Sequence, residues 1–211
     1  MLNKQKIIFF LLISIFLGCS NNNNQQAIIF FEDQPSLKQE QDLILNLNSH
    51  ISKNGLFEFL NSQNWIETFL IKRHAFRRTE IFIKSKEPKY IWKDRFYLDK
   101  NLSKFLYYGE HPSLLNLYMP IELVEKWLEF EDRFQSITQS NNFKIDSVAY
   151  TEAEGWYLII DSNIRINLGT YLSDNVIKKL TLSLKYILEK NLTPSIIDLR
   201  YKDGAALNYG K

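Results

Sequence analysis

The sequence has few of the features that mark an enzyme or a nucleic-acid-binding protein. It carries one cysteine, Cys19, so the chain cannot form an internal disulfide. Its 26 basic and 24 acidic side chains nearly cancel to a net charge of +2, whereas nucleic-acid binders carry a strong basic excess. Only seven glycines and five prolines are present, which leaves little material for long flexible linkers. A hydrophobic share of 45% indicates a globular protein that depends on packing.

Motifs that carry catalytic chemistry are also missing from the sequence. The three histidines, His50, His74 and His111, lie far apart and have no metal-ligand spacing. The sequence has no Gly-x-Ser-x-Gly elbow and no glycine-rich phosphate loop. Five acidic residues between Glu122 and Asp132 lie on a predicted helix, on the side where solvated charge belongs. We therefore predict a protein that is not an enzyme and that needs no cofactor, metal or small-molecule substrate.

The amino terminus has the pattern of an export signal. Lys4 and Lys6 precede an apolar run from Ile7 to Leu17, and such lysines stay in the cytoplasm. The junction Gly18-Cys19 resembles that of a bacterial lipoprotein, which makes Cys19 the candidate lipidation site. Alternatively the segment remains as an uncleaved anchor, although the run is short against the roughly 20 residues that a bilayer needs. The predicted boundaries are a cytoplasmic tail at 1–6, a membrane anchor at 7–19 and a polar tether at 20–26.

The hydrophobic periodicity predicts an α+β fold in two parts, 27–87 and 88–211. In the first part, Ser36 and Gln39 stand at capping-box spacing and open the first of two helices. The predicted order there is β-α-α-β-β, with elements at 27–31, 36 onward, 52–62, 65–73 and 79–85. The second part is predicted to be a mostly antiparallel sheet with helices at 121–137 and 172–190, and 106–120 is predicted to be irregular.

The chain ends on "IIDLRYKDGAALNYGK", which predicts two strands, 195–201 and 204–209, joined by a turn. A last strand tends to be the edge of a sheet, and an open edge invites pairing with another chain. Ala205, Ala206 and Leu207 are small or uncharged and include no proline, so another backbone could approach and add a strand. The residues alone equally allow an edge that is too short to pair, or one that the 172–190 helix covers.

Three stretches together resemble the FtsQ/DivIB family of bacterial cell-division proteins. The first, "NWIETFLIKRHAFRRTEIFIKSKEPKYIWKDRFYLDKNLSKF", carries the family's Trp-Ile, basic strand end, Pro and Trp in register. The second, "GWYLIIDSNIRINLG", is similar to its Trp-containing strand pair, and "IIDLRYKDGAALNY" is similar to its closing strand pair. Two departures matter. Leu102 replaces the turn glycine, so we expect Asn101 to take the unusual backbone angle, and Glu152, Ala153 and Glu154 replace basic residues before Trp156.

The resemblance implies a non-catalytic scaffold of the division septum. It implies a membrane-proximal POTRA domain followed by a β domain, both in the periplasm, behind a single uncleaved helix in the cell inner membrane. It also implies partners similar to FtsB and FtsL, contacts of the POTRA domain with other division proteins, and help in regulating septal peptidoglycan synthesis. By position, the partner-binding residues are Arg200, Tyr201, Gly204, Ala205, Ala206, Leu207 and Tyr209. The alternative is a periplasmic POTRA-bearing lipoprotein of envelope assembly.

Overall fold

The computed structural model describes residues 26–33, 35–47, 55–74, 78–106, 113–161 and 164–210. The helices are α1 (Leu37–Leu47), α2 (Gly55–Ser62), α3 (Val124–Ser140) and α4 (Asp174–Glu189). The strands are β1 (Gln26–Phe31), β2 (Ile66–Arg73), β3 (Arg78–Ser85), β4 (Tyr90–Trp92), β5 (Phe96–Leu98), β6 (Lys104–Phe105), β7 (Leu115–Tyr118), β8 (Ile145–Thr151), β9 (Gly155–Ile160), β10 (Ile164–Gly169), β11 (Ile196–Asp198) and β12 (Ala206–Asn208). The predicted α+β class is confirmed.

Within these ranges, no helix has the length and apolar character needed to cross a membrane. The predicted membrane segment at 7–19, with Cys19, lies outside the described residues.

The first compact unit contains the described residues up to Pro88 together with 99–106. Its elements up to Pro88 follow the predicted order β-α-α-β-β, and its three-stranded sheet has the order β1-β3-β2. Strand β1 runs parallel to β3, and β2 runs antiparallel to β3. Apolar side chains from both helices and from β3 form its core, which includes Leu43, Leu47, Leu56, Leu60, Ile81 and Ile83.

The predicted capping box at the start of α1 is confirmed. The backbone N–H of Gln39 donates to the Ser36 hydroxyl at 3.2 Å, and the backbone N–H of Ser36 donates to Gln39 Oε1 at 3.0 Å. Two N–H groups that the helix cannot satisfy internally are thus paired. The Gln39 amide also donates to the carbonyl of Leu106 at 3.3 Å, which explains why this polar side chain is buried.

The second compact unit contains Lys89–Leu98 and the described residues from 113 to 210. Its strands lie in one sheet in the order β12-β11-β10-β9-β8-β7-β4-β5. The pairs β10–β11, β7–β8 and β4–β7 are parallel, and the other pairs of this order are antiparallel. The apolar stripes of α3 and α4 supply buried side chains to the core of this unit, among them Trp127, Phe134, Leu180 and Leu184.

One prediction about the second part was wrong. Residues 106–120 were expected to be irregular, but Leu115–Tyr118 forms β7, which lies between β8 and β4. Leu115 and Leu117 are buried, while Tyr118 is exposed. A four-residue alternation is too short to stand out in the sequence. Its strand character comes from parallel pairing with two neighbours that are distant in the chain.

A second correction concerns the turn after β5. Leu102, and not Asn101, has the positive φ, at 60°. The buried carboxylate of Asp99 accepts hydrogen bonds from the backbone N–H groups of Asn101 and Ser103, each at 2.8 Å. These two bonds fix the turn around the carboxylate, so the strained angle falls on the residue between the two donors.

Candidate partner-binding edge

Residues 196–208 form a short antiparallel hairpin at the edge of the second unit's sheet. Ile197 of β11 lies opposite Leu207 of β12, and β12 is the last strand in the sheet order. Both strands are shorter than the predicted 195–201 and 204–209, because residues 199–205 leave the ladder to form the connection. In the part of the chain that the structure describes, no strand covers the outer side of β12. Its outer backbone groups therefore form an open edge.

Hydrogen bonds at its carboxyl end fasten β12 to the strand before it. The backbone N–H of Ser195 donates to the carbonyl of Asn208 at 2.8 Å. The Ser195 hydroxyl donates to the carbonyl of Gly210 at 2.7 Å. Within the terminal segment itself, the N–H of Gly210 donates to Asn208 Oδ1 at 2.7 Å. The inner side of the edge strand is therefore held in place while its outer side stays open, as strand addition by a partner requires.

An ion pair shapes the start of the connection between β11 and β12. The Arg200 guanidinium donates to both oxygens of Asp198, from Nη2 to Oδ2 at 2.5 Å and from Nε to Oδ1 at 2.9 Å. The Arg200 backbone N–H also donates to Asp198 Oδ1, at 3.1 Å. These bonds hold the pKa of Asp198 below its usual value. A lowered pKa means that the pair stabilises the fold above the ordinary pKa of the carboxyl and is lost as the pH falls through the lowered value. The ion pair between Asp198 and Arg200 is therefore intact at neutral pH.

A groove of about 230 Å³ runs between β12 and α4. Gly204, Ala205 and Leu207 line one wall, and Lys179, Leu182, Ser183 and Tyr186 of α4 line the other. Leu182 and Tyr186 are 59% and 51% exposed, which is high for large apolar side chains on a helix. The groove thus offers apolar side chains beside an open strand, a combination that suits a peptide adding to the edge.

Sequence reasoning missed the α4 wall of this groove. The buried stripe of α4 contains Val176, Ile177, Leu180, Leu184 and Ile187. Leu182 and Tyr186 lie off that stripe at i,i+4 spacing, so they share a separate face of the helix. A large apolar pair outside the core stripe was the signal in the sequence that could have identified the second wall.

The residues predicted to bind a partner lie in two groups around the edge. Gly204, Ala205 and Leu207 meet in the groove. The remaining four are exposed to solvent: Arg200 in its ion pair, Tyr201 at 59%, Ala206 on β12 and Tyr209 at 53%. The structure brings all seven to one hairpin, and their contact with a partner stays a prediction.

Glu154, which replaces a basic residue before Trp156, lies beside a cation from the neighbouring strand. Its carboxylate forms an ion pair with the Arg165 guanidinium at 2.8 Å, and that guanidinium lies 3.9 Å from the centre of the Tyr157 ring. Arg165 also donates to Asn167 Oδ1 at 2.8 Å. The acidic departure is therefore neutralised locally, by a residue that spacing alone did not connect to it.

The chain is similar to three curated proteins named Cell division protein FtsQ. It is 25% identical over 164 residues to that of Vibrio cholerae serotype O1 (strain ATCC 39315 / El Tor Inaba N16961), which covers 74% of this chain and 61% of the relative. It is 24% identical over 160 residues to that of Aliivibrio fischeri (strain ATCC 700601 / ES114), covering 74% and 62%. It is 31% identical over 100 residues to that of Blochmanniella floridana, covering 44% and 35%.

These relatives confirm the resemblance to the FtsQ/DivIB family that the sequence motifs indicate. No protein-family model matches the chain. The chain spans about three fifths of the length of the Vibrio and Aliivibrio proteins and about one third of the Blochmanniella protein.

Proposed function

We propose that the protein is a non-catalytic scaffold of the bacterial division septum. It links division proteins by binding FtsB- and FtsL-like partners in the periplasm, and it helps control septal peptidoglycan synthesis. The first unit acts as a POTRA domain that contacts other division proteins, and the second unit presents the carboxyl-terminal edge. A single helix at 7–19 anchors the chain in the inner membrane, with the amino terminus in the cytoplasm.

The observation that carries this proposal is the open edge strand beside an apolar groove. The groove-lining residues Gly204, Ala205 and Leu207 fall within the stretch that resembles the family's closing strand pair. Strand addition supplies affinity through main-chain hydrogen bonds, and a neighbouring pocket supplies specificity for side chains. The similarity to proteins named for cell division supports the same role.

The element order of the first unit supports the POTRA assignment. Strand β1, helices α1 and α2, and strands β2 and β3 follow one another within residues 26–85, with both helices contributing to one core. The rival proposal, a POTRA-bearing lipoprotein of envelope assembly, shares this unit and lacks a use for the terminal hairpin. Fold alone does not separate the two, because one fold serves many functions.

Localisation of the tagged full chain separates the scaffold from the lipoprotein. We expect a band at midcell in dividing cells, because a septal scaffold is held there by its partners. The measurement is fluorescence microscopy with a tag active in the periplasm, compared with a uniformly distributed envelope protein as the control. Even staining around the envelope of dividing cells would contradict the scaffold.

The orientation of the chain gives a separate prediction. A reporter that is active only after export, fused at residue 30, is expected to be active, because Lys4 and Lys6 hold the amino terminus inside. An inactive fusion that is made in normal amounts contradicts the periplasmic location.

Labelled palmitate tests the anchor in the same cells, with Cys19→Ser as the control. Label that the natural chain incorporates and the Cys19→Ser variant does not would show a lipidated Cys19 in place of an uncleaved helix.

A further inference from the structure

The side chain of Lys179 ties the connection between β11 and β12 to helix α4. The Lys179 ammonium donates to the carbonyl of Leu199, and it also donates to the carbonyl of Tyr201 at 2.8 Å. The two acceptors lie 20 and 22 residues further along the chain. Leu199 is buried and Tyr201 is 59% exposed, so the two bonds hold the backbone at the point where it leaves the core for the surface.

These carbonyls need a donor because the connection lies outside the β ladder. Backbone oxygens that leave a ladder must find another partner or remain hydrated. An ammonium group carries three donors, and hydrogen bonds from a charged donor are stronger than neutral ones. A single lysine can therefore hold two carbonyls of the connection without a regular element.

The position of this lysine relates it to the candidate site. Lys179 also lines the groove that Gly204, Ala205 and Leu207 form with α4. The backbone that it holds leads directly to Tyr201 and then to β12. A short edge strand of three residues has few ladder bonds of its own, so its direction depends on the preceding connection as well as on the bonds from Ser195 at its carboxyl end.

We propose that Lys179 is a positioning residue for the partner-binding edge. It holds the 199–205 connection against α4, so that Tyr201 and β12 are presented in the geometry that an added strand requires. This inference rests on the proposed function, since it assigns a role toward the same partner. It adds a residue of α4 that acts by holding the backbone of the edge in place.

The test compares substitutions of two neighbouring lysines in the full chain. Lys179→Met removes the donors and keeps most of the length of the side chain. Lys178→Met makes the same change of charge at the adjacent exposed position and serves as the matched control. Lys179→Arg restores a charged donor. The first readout, amide hydrogen exchange over 201–208, needs no partner, and we expect faster exchange in Lys179→Met alone.

The second readout is the affinity for the co-expressed FtsB-like protein of the same organism. We expect Lys179→Met to lower the affinity by about tenfold or more, because it removes hydrogen bonds from a charged group. Lys178→Met should bind as the natural chain does, and Lys179→Arg should recover most of the affinity. Unchanged exchange over 201–208 in Lys179→Met, or an equal loss in Lys178→Met, overturns the inference. A natural chain that does not bind contradicts the proposed function itself, and with it the role of Lys179 toward the partner.

Discussion

Gly155→Ala is expected to destabilise the second unit by at least about 2 kcal/mol. Gly155 has a positive φ of 76°, an angle that costs a residue with a Cβ about 1–2 kcal/mol. A Cβ at this position would also lie 2.5 Å from the backbone carbon and oxygen of Gly169. Both atoms belong to the backbone at the end of β10, so no side-chain rotation relieves the clash.

Chemical denaturation followed by tryptophan fluorescence measures this effect, and Trp156 next to the substitution is a buried reporter. Gly204→Ala is the matched control, because nothing lies within 4 Å of a Cβ added there. We expect the control to change the free energy of unfolding by less than about 0.5 kcal/mol. Equal stability of the two variants would show that β9 and the end of β10 do not approach each other as described.

Local signals in the sequence predicted much of the fold. The capping box at Ser36 and Gln39 depends on residues three apart, and so it could be read directly. The stripe of α3 with Trp127 and Phe134 follows from helical periodicity in the same way. Strand β7 could not be predicted, since it becomes a strand through pairing with β8 and β4. The positive φ at Leu102 depends on hydrogen bonds to Asp99, and the sequence pointed to the wrong neighbour.

The sequence predicted the terminal strand of the candidate site but not the contacts that helix α4 makes with it. The pattern of the ending predicted a last strand at the edge of a sheet, and β12 does end the sheet. The α4 wall with Leu182 and Tyr186 was not predicted. The spacing of this apolar pair indicates a second apolar face on the helix, but the sequence does not say that β12 lies beside that face. The bonds from Lys179 to two carbonyls were not predicted either, because their acceptors lie 20 and 22 residues away and are brought close only by tertiary structure.

If the proposed FtsB-like protein binds at this edge, Tyr201→Ala is expected to weaken its binding by about thirtyfold or more, the loss of a central aromatic contact. The Tyr201 side chain is 59% exposed and stands directly before the turn to β12, so its removal leaves no cavity in a core. Tyr171→Ala is the control, because Tyr171 is also exposed and its ring faces Lys126 of α3. Both variants should unfold at the same denaturant concentration as the natural chain.

Truncation after Gly204 is expected to have the larger effect, because it removes β12 and with it the template for strand addition. The removed residues contribute no fully buried side chain, since Leu207 is half-buried and its neighbours are exposed. We therefore expect the shortened chain to fold with its core intact. Circular dichroism of the purified protein checks this, and Tyr201→Ala tests the edge independently of any loss of folding.

Co-purification of the proposed FtsB-like partner from solubilised membranes tests the central claim most directly. The tagged full chain and the chain that ends at Gly204 are expressed at equal levels with the partner, and the partner is quantified after capture of the tag. The full chain should retain the partner, and the truncated chain should fold and retain none. A folded truncated chain that retains the partner as well as the full chain does would contradict the account and place the binding surface elsewhere.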